Sequence, residues 1–159
     1  VRGLARDAVA AHTVGAVVLG VGWWLLAPDV LFLVSNGTPL RFEDATLGVF
    51  GVDAAFMAVA AVVGLVVGRW LWGRHQDRQR AVLVVLAAGG LVGAVAGRWL
   101  GSRLGPGPVV DRAVGLPDLT ELPGELVLRA TAALVVWPLL AVLVATVALW
   151  LSPPEPPAP

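Results

Sequence analysis

The chain contains no cysteine, which removes disulfides, thiolate metal sites and cysteine nucleophiles together. It has no lysine either. All 11 basic residues are arginine, a bias that points to a GC-rich genome rather than to a chemistry. Those arginines are balanced by 11 acids, for a net charge of zero, so no overall basic field is available to attract nucleic acid. Histidine occurs only at His12 and His75. Two separated histidines without carboxylates at set spacing do not make a metal site. No phosphate loop, GxSxG elbow or HExxH is present. The expectation is a non-enzymatic chain with no metal and no cofactor.

What the chain has in quantity is apolar surface. Hydrophobic residues make up 58% of 159 positions and mean hydropathy is +0.84, too apolar for an ordinary soluble domain. Four segments, near 9–26, 54–72, 81–100 and 126–151, approach the roughly 20 residues that cross a bilayer. The first exceeds the roughly 7–15 apolar residues of a signal peptide and no A-x-A site follows it, so it reads as a retained anchor. Residues 1–151 are expected to form one all-α membrane domain, a bundle of four transmembrane helices. SPPEPPAP at 152–159 reads as a proline-rich disordered tail.

Glycine spacing carries the packing signal. Gly89, Gly93, Gly97, Gly101 and Gly105 recur every fourth residue and give the third segment a bare stripe for close helix contact. Ala60, Gly64 and Gly68 form a smaller stripe on the second. Consecutive segments joined by a short link run antiparallel, so the two stripes are expected to face each other, making helices two and three the tight pair. The competing use of such stripes is a glycine-lined pore or a homo-oligomer interface.

Six tryptophans, Trp23, Trp24, Trp70, Trp72, Trp99 and Trp150, fall near segment ends, as in an interfacial aromatic belt. Trp137 lies inside the last segment beside Pro138, where proline is expected to free a carbonyl and kink the helix. The motif GRWL occurs at 68–71 and 97–100, each followed three residues on by an arginine, Arg74 or Arg103. An inverted repeat would have this form, but an interfacial tryptophan beside a snorkelling arginine explains it more simply.

Arg2, Arg6, Arg74, Arg78 and Arg80 flank one side of the segments, which places both termini in the cytoplasm. On the other side, VLFLV, SNGT and PLRF predict a β-hairpin turning at Asn36-Gly37. A lone hairpin is marginal, so it must rest on the second outer loop or the helix ends, forming a small extracytoplasmic cap. Pro106 and Pro108 should stop the third helix, while Pro123 and Glu125 resemble the start of the fourth. Asp53 opens the second segment and Arg98 closes the third at the same level. They are expected to meet as an interfacial ion pair, with Arg103 as the other choice and Glu43, Asp44 and Arg129 within reach. His12 and His75 are expected to contact solvent or headgroups.

The order of features, WWLLAPDV, the hairpin, FEDA with FGVDAAF, GRWLGSRLGPGP and ELVLRATAALVVWPLL, resembles a family of uncharacterised actinobacterial four-pass membrane proteins. The resemblance covers nearly the whole chain and implies a multi-pass protein of the bacterial cytoplasmic membrane, without assigning an activity or site residues. GGLVGAVAGRWL is also similar to the first-helix motif of small fluoride channels. Here it occupies the third segment and lacks the polar GTLxxN-type stretch. Two roles follow: a non-catalytic accessory or interaction subunit of a larger membrane complex, or a small homo-oligomeric transporter or channel.

Overall fold

A computed structural model describes residues 2–41 and 45–151, with side chains at 41, 45–47 and 49 left out of the description. The structure is mostly helical. Four helical stretches, α1 (Arg2–Leu26), α2 (Ala45–Arg74), α3 (Gln79–Leu104) and a 3-10 turn at Thr131–Val135 continuing into α5 (Val136–Trp150), hold the apolar residues. Each contains a span long and apolar enough to cross a membrane. The short α4 (Val109–Ala113) lies between α3 and α5.

The connections account for where the helices stop. Pro28 follows Ala27, whose N–H still reaches Trp23 O at 2.9 Å. Pro106 and Pro108 follow the end of α3, where Gly105 N–H donates to Gly101 O at 3.0 Å. The chain between them and α5 does not return directly to helix. It adds β3 (Glu121–Pro123) to β1 (Leu31–Ser35), which pairs on its other edge with β2 (Thr38–Arg41), in the order β2-β1-β3. Both pairings are antiparallel. Asn36 and Gly37 have φ of 49 and 71, the two left-handed residues of a type I′ turn. The hairpin therefore rests on the second long connection, through a strand. The fourth helix starts later than expected: Pro123 closes β3, and regular helix begins at Thr131 rather than near Leu126. Residues 152–159, the expected disordered tail, lie outside the described residues.

Around the bundle the order is α1, α3, α5, α2, with α1 against α3 and α2 against α5 as the closest pairs. This overturns the expected facing of α2 and α3, which lie across the diagonal. The link that joins them, residues 75–78, holds a 3-10 turn at Gln76–Arg78. A Cβ on Gly89 would meet His12, on Gly97 Leu19, and on Gly101 Trp23. The two numberings rise together, so α1 and α3 are parallel. Gly64 abuts Trp137 O and Gly68 abuts Ala141 O, so α2 and α5 are parallel also. The α3 stripe thus faces α1 at Gly89, Gly97 and Gly101 and α5 at Gly93, and the α2 stripe faces α5.

Trp137 fills the centre and is 0% exposed. A Cβ on Gly15 of α1 would fall 2.7 Å from its Cη2, and one on Gly93 of α3 2.5 Å from the same atom. Pro138 lies in the first turn of α5, at the junction with the 3-10 turn. Its missing N–H falls where the 3-10 turn passes into α-helix, so the proline sits at a change of helix type rather than inside a regular α-helix. Trp23 and Trp72 are also buried and do not belong to an outer belt. Trp24, Trp70, Trp99 and Trp150 are exposed.

This packing predicts a difference in sign between glycines. Gly93→Ala should destabilise the protein in detergent by about 1–3 kcal/mol, the usual cost of overpacking, and Trp137→Phe in the same chain should recover part of it. Gly3→Ala meets nothing within 4 Å and should hold or raise stability through helix propensity alone. Thermal unfolding of the three variants in one detergent checks the contrast.

Candidate functional site

The polar groups collect at three levels of the bundle. At the level of the sheet, Asp53 lies eight residues beyond the start of α2 and is 7% exposed. Its two carboxylate oxygens accept the backbone N–H groups of Arg129 and Ala130, each at 3.0 Å. The reason lies in the lead-in to α5. Residues 124–130 follow β3 without regular structure, so their N–H groups need acceptors from elsewhere. A carboxylate supplies charge-assisted bonds to two of them. Beside it Trp23 Nε1 donates to Val52 O at 2.9 Å, and Trp23 meets Phe56 edge-on at 5.2 Å.

The expected ion pair of Asp53 with Arg98 or Arg103 is therefore replaced by a backbone cap. Arg103 lies over its own helix neighbour Trp99, 5.5 Å from the ring centroid. Arg98 makes no ion pair among the described residues, and the Arg129 side chain is exposed. Glu43 and Asp44 lie outside the described residues. The other GRWL copy behaves alike, with Arg74 over Trp70 at 5.3 Å. An arginine four residues after a tryptophan makes the same local contact in both, a cation–π pair.

The remaining helix-packing positions, Ala60, Gly64, Gly68, Gly89, Gly93, Gly97 and Gly101, are covered by residues of this same chain, apart from Gly89, which also borders a groove between α1 and α3.

At the opposite end a cluster appears that the sequence reading missed. Asp7 Oδ2 accepts from Arg74 Nε and from His75 Nε2, both at 3.2 Å, and Arg6 Nε lies 3.6 Å from Oδ1. His75 is thus held between α1 and the α2–α3 link rather than solvated. The signal was faint: one aspartate among the arginines of the N-terminal flank.

Between these ends lies His12, which is 9% exposed and so not open to solvent as expected. Nδ1 is 2.8 Å from Ala8 O. A carbonyl only accepts, so Nδ1 carries the proton, and in the neutral ring Nε2 is a bare acceptor. Nε2 and Trp137 Nε1 are buried without a partner among the described residues, and the two rings stack at 5.8 Å.

The sheet presents a surface rather than a cleft. Register places Leu33 opposite Leu40 and Glu121, and Leu31 opposite Pro123, so these share a face. Leu31 and Leu40 are exposed. Beneath the sheet's other side Val34 is buried, with Val109 and Ala113 of α4 also buried. Arg112 of α4 donates to Gly107 O at 3.1 Å and to Pro123 O, so it holds the connection together. No group of three His, Asp or Glu among the described residues is placed to hold a metal ion. No family model, curated protein or solved structure matches this chain.

The Asp53 cap generates a prediction that an ion pair would not. Asp53→Ala should cost about 2 kcal/mol, the price of two part-buried donors losing a charged acceptor. Arg98→Ala and Arg103→Ala should stay within about 0.5 kcal/mol. Detergent unfolding midpoints for the three variants distinguish the two arrangements.

Proposed function

We propose that this chain is a four-pass protein of a bacterial cytoplasmic membrane, of the uncharacterised actinobacterial kind it resembles, and a non-catalytic accessory or interaction subunit of a larger membrane complex. Both termini lie in the cytoplasm and the sheet with α4 forms the extracytoplasmic cap. The observation that carries this reading is the use of the glycine stripes. Gly64 and Gly68 are spent on α5, and Gly93, Gly97 and Gly101 on Trp137, Leu19 and Trp23. A stripe filled by its own chain is available neither to line a pore nor to pair with a second copy. What remains for a partner is the cap and the outer helix faces, where Val92, Leu139 and Leu143 are exposed.

One observation favours the second reading, a small homo-oligomeric transporter or channel. Ionisable groups inside apolar helices commonly mark ion or proton paths, and His12 is such a group. Its neighbours on the stripe side are a glycine and a tryptophan, neither of which can relay a proton, so the first reading is preferred.

Three measurements test the proposal. Cysteine at Ser35 or Ser102 should react with an impermeant thiol reagent from outside intact cells, and cysteine at Gln79 should not; the reverse pattern overturns the orientation. Purification from native membranes followed by mass spectrometry should yield a stoichiometric foreign subunit. A pure oligomer that carries ion flux in liposomes, with flux lost in His12→Phe, would replace this reading by the second.

A further inference from the structure

Leu119 is unusual in both backbone and side chain. Its φ of +68 puts it in the left-handed region, where a bulky side chain crowds the following carbonyl and glycine or asparagine is the common occupant. The fold uses this backbone shape. It brings Leu119 N–H to Val34 O at 2.8 Å, while the neighbouring Asp118 carboxylate accepts from Asn36 N–H at 2.6 Å. Together these lock the second long connection to the hairpin. The fold makes little use of the leucine side chain, which is 77% exposed. Glycine would form the same turn without the crowding. A strained residue whose side chain its own chain leaves uncovered points to use by something outside the chain.

The surroundings select the occupant. Val110 and Val114 are exposed on the same connection. So are the carboxylates of Asp111, Asp118, Glu121 and Glu125. The arginine among them, Arg112, is turned onto the carbonyls of Gly107 and Pro123, so the local field is negative. An anionic bilayer surface repels such a rim, since segments that dip into headgroups surround their apolar residues with lysine and arginine. A second copy docking by the same face would set carboxylate against carboxylate. A protein surface with a leucine-sized apolar recess, bordered by arginine or lysine, meets both demands.

We infer that Leu119 is the anchor by which the cap docks a protein partner of this kind, its acidic rim facing the partner's basic one. This rests on the interaction-subunit reading and names the contact that subunit makes.

The test uses the full chain in its native membranes, with a photo-crosslinking amino acid at position 119 and, separately, at 114, 92 and 139. Position 119 should give an adduct with one other protein, through a segment carrying arginine or lysine. Its yield should fall in high salt and with Glu121→Lys and Glu125→Lys. Leu119→Gly should keep or raise the unfolding temperature while weakening that complex roughly tenfold or more. An adduct with lipid, with a second copy of this chain, or with a segment lacking basic residues overturns the inference, as does a lowered unfolding temperature in Leu119→Gly. Silence at 119 and 114 with a stoichiometric partner captured at 92 or 139 removes this contact but leaves the interaction reading standing. Silence at all four positions removes both.

Discussion

The bundle is organised around one side chain, the Trp137 indole. Helices in lipid gain nothing from burying apolar surface against one another, because the tails are as apolar as they are. Association comes from the closeness and area of contact. A tryptophan at the centre of four helices offers a large rigid area, but only if each neighbour can approach it. Two helices meet the ring with glycine, Gly15 from α1 and Gly93 from α3, while Gly64 of α2 lies against the Trp137 backbone. The stacked His12 ring closes one side of it. Added bulk at Gly15 or Gly93 meets the indole itself, and at Gly64 it meets the backbone that carries the indole.

From this centre the parallel pairing follows. Gly93, Gly97 and Gly101 on α3 take Trp137, Leu19 and Trp23 at successive turns, while Gly64 and Gly68 on α2 take the α5 backbone. The short link then has to cross the diagonal, and the cluster of Asp7 with Arg74 and His75 ties that crossing back to α1. At the other end the two long connections bind each other. β3 adds to the hairpin, and Asp53 caps the irregular lead-in to α5. Pro39 in β2 and Pro123 in β3 stand on the two outer strands. Proline lacks the donor that would recruit a further strand.

Much of this was legible in the sequence, and it was the part governed by local rules. Four long apolar stretches, the stop after α3, and the Asn36-Gly37 turn follow from composition, proline and the left-handed φ that a two-residue hairpin requires. Four-residue glycine spacing announces a closely packed face. The local arginine–tryptophan contact in both GRWL copies follows from helix geometry alone.

The tertiary structure decided everything that depends on which surfaces meet. Periodicity shows that a face is covered and says nothing of what covers it, so the glycine stripe on α3 could not reveal that its partner was α1. Nearness to a segment end sets a tryptophan's depth, whereas the angle about the helix axis sets its burial, and this separates Trp23 and Trp72 from Trp24 and Trp70. Asp53 went to backbone rather than to arginine because seven irregular residues ahead of α5 left donors that only the assembled bundle brings near it. His12 is buried for the same reason: α3 presents Gly89 at that turn, and only the fold places α3 there.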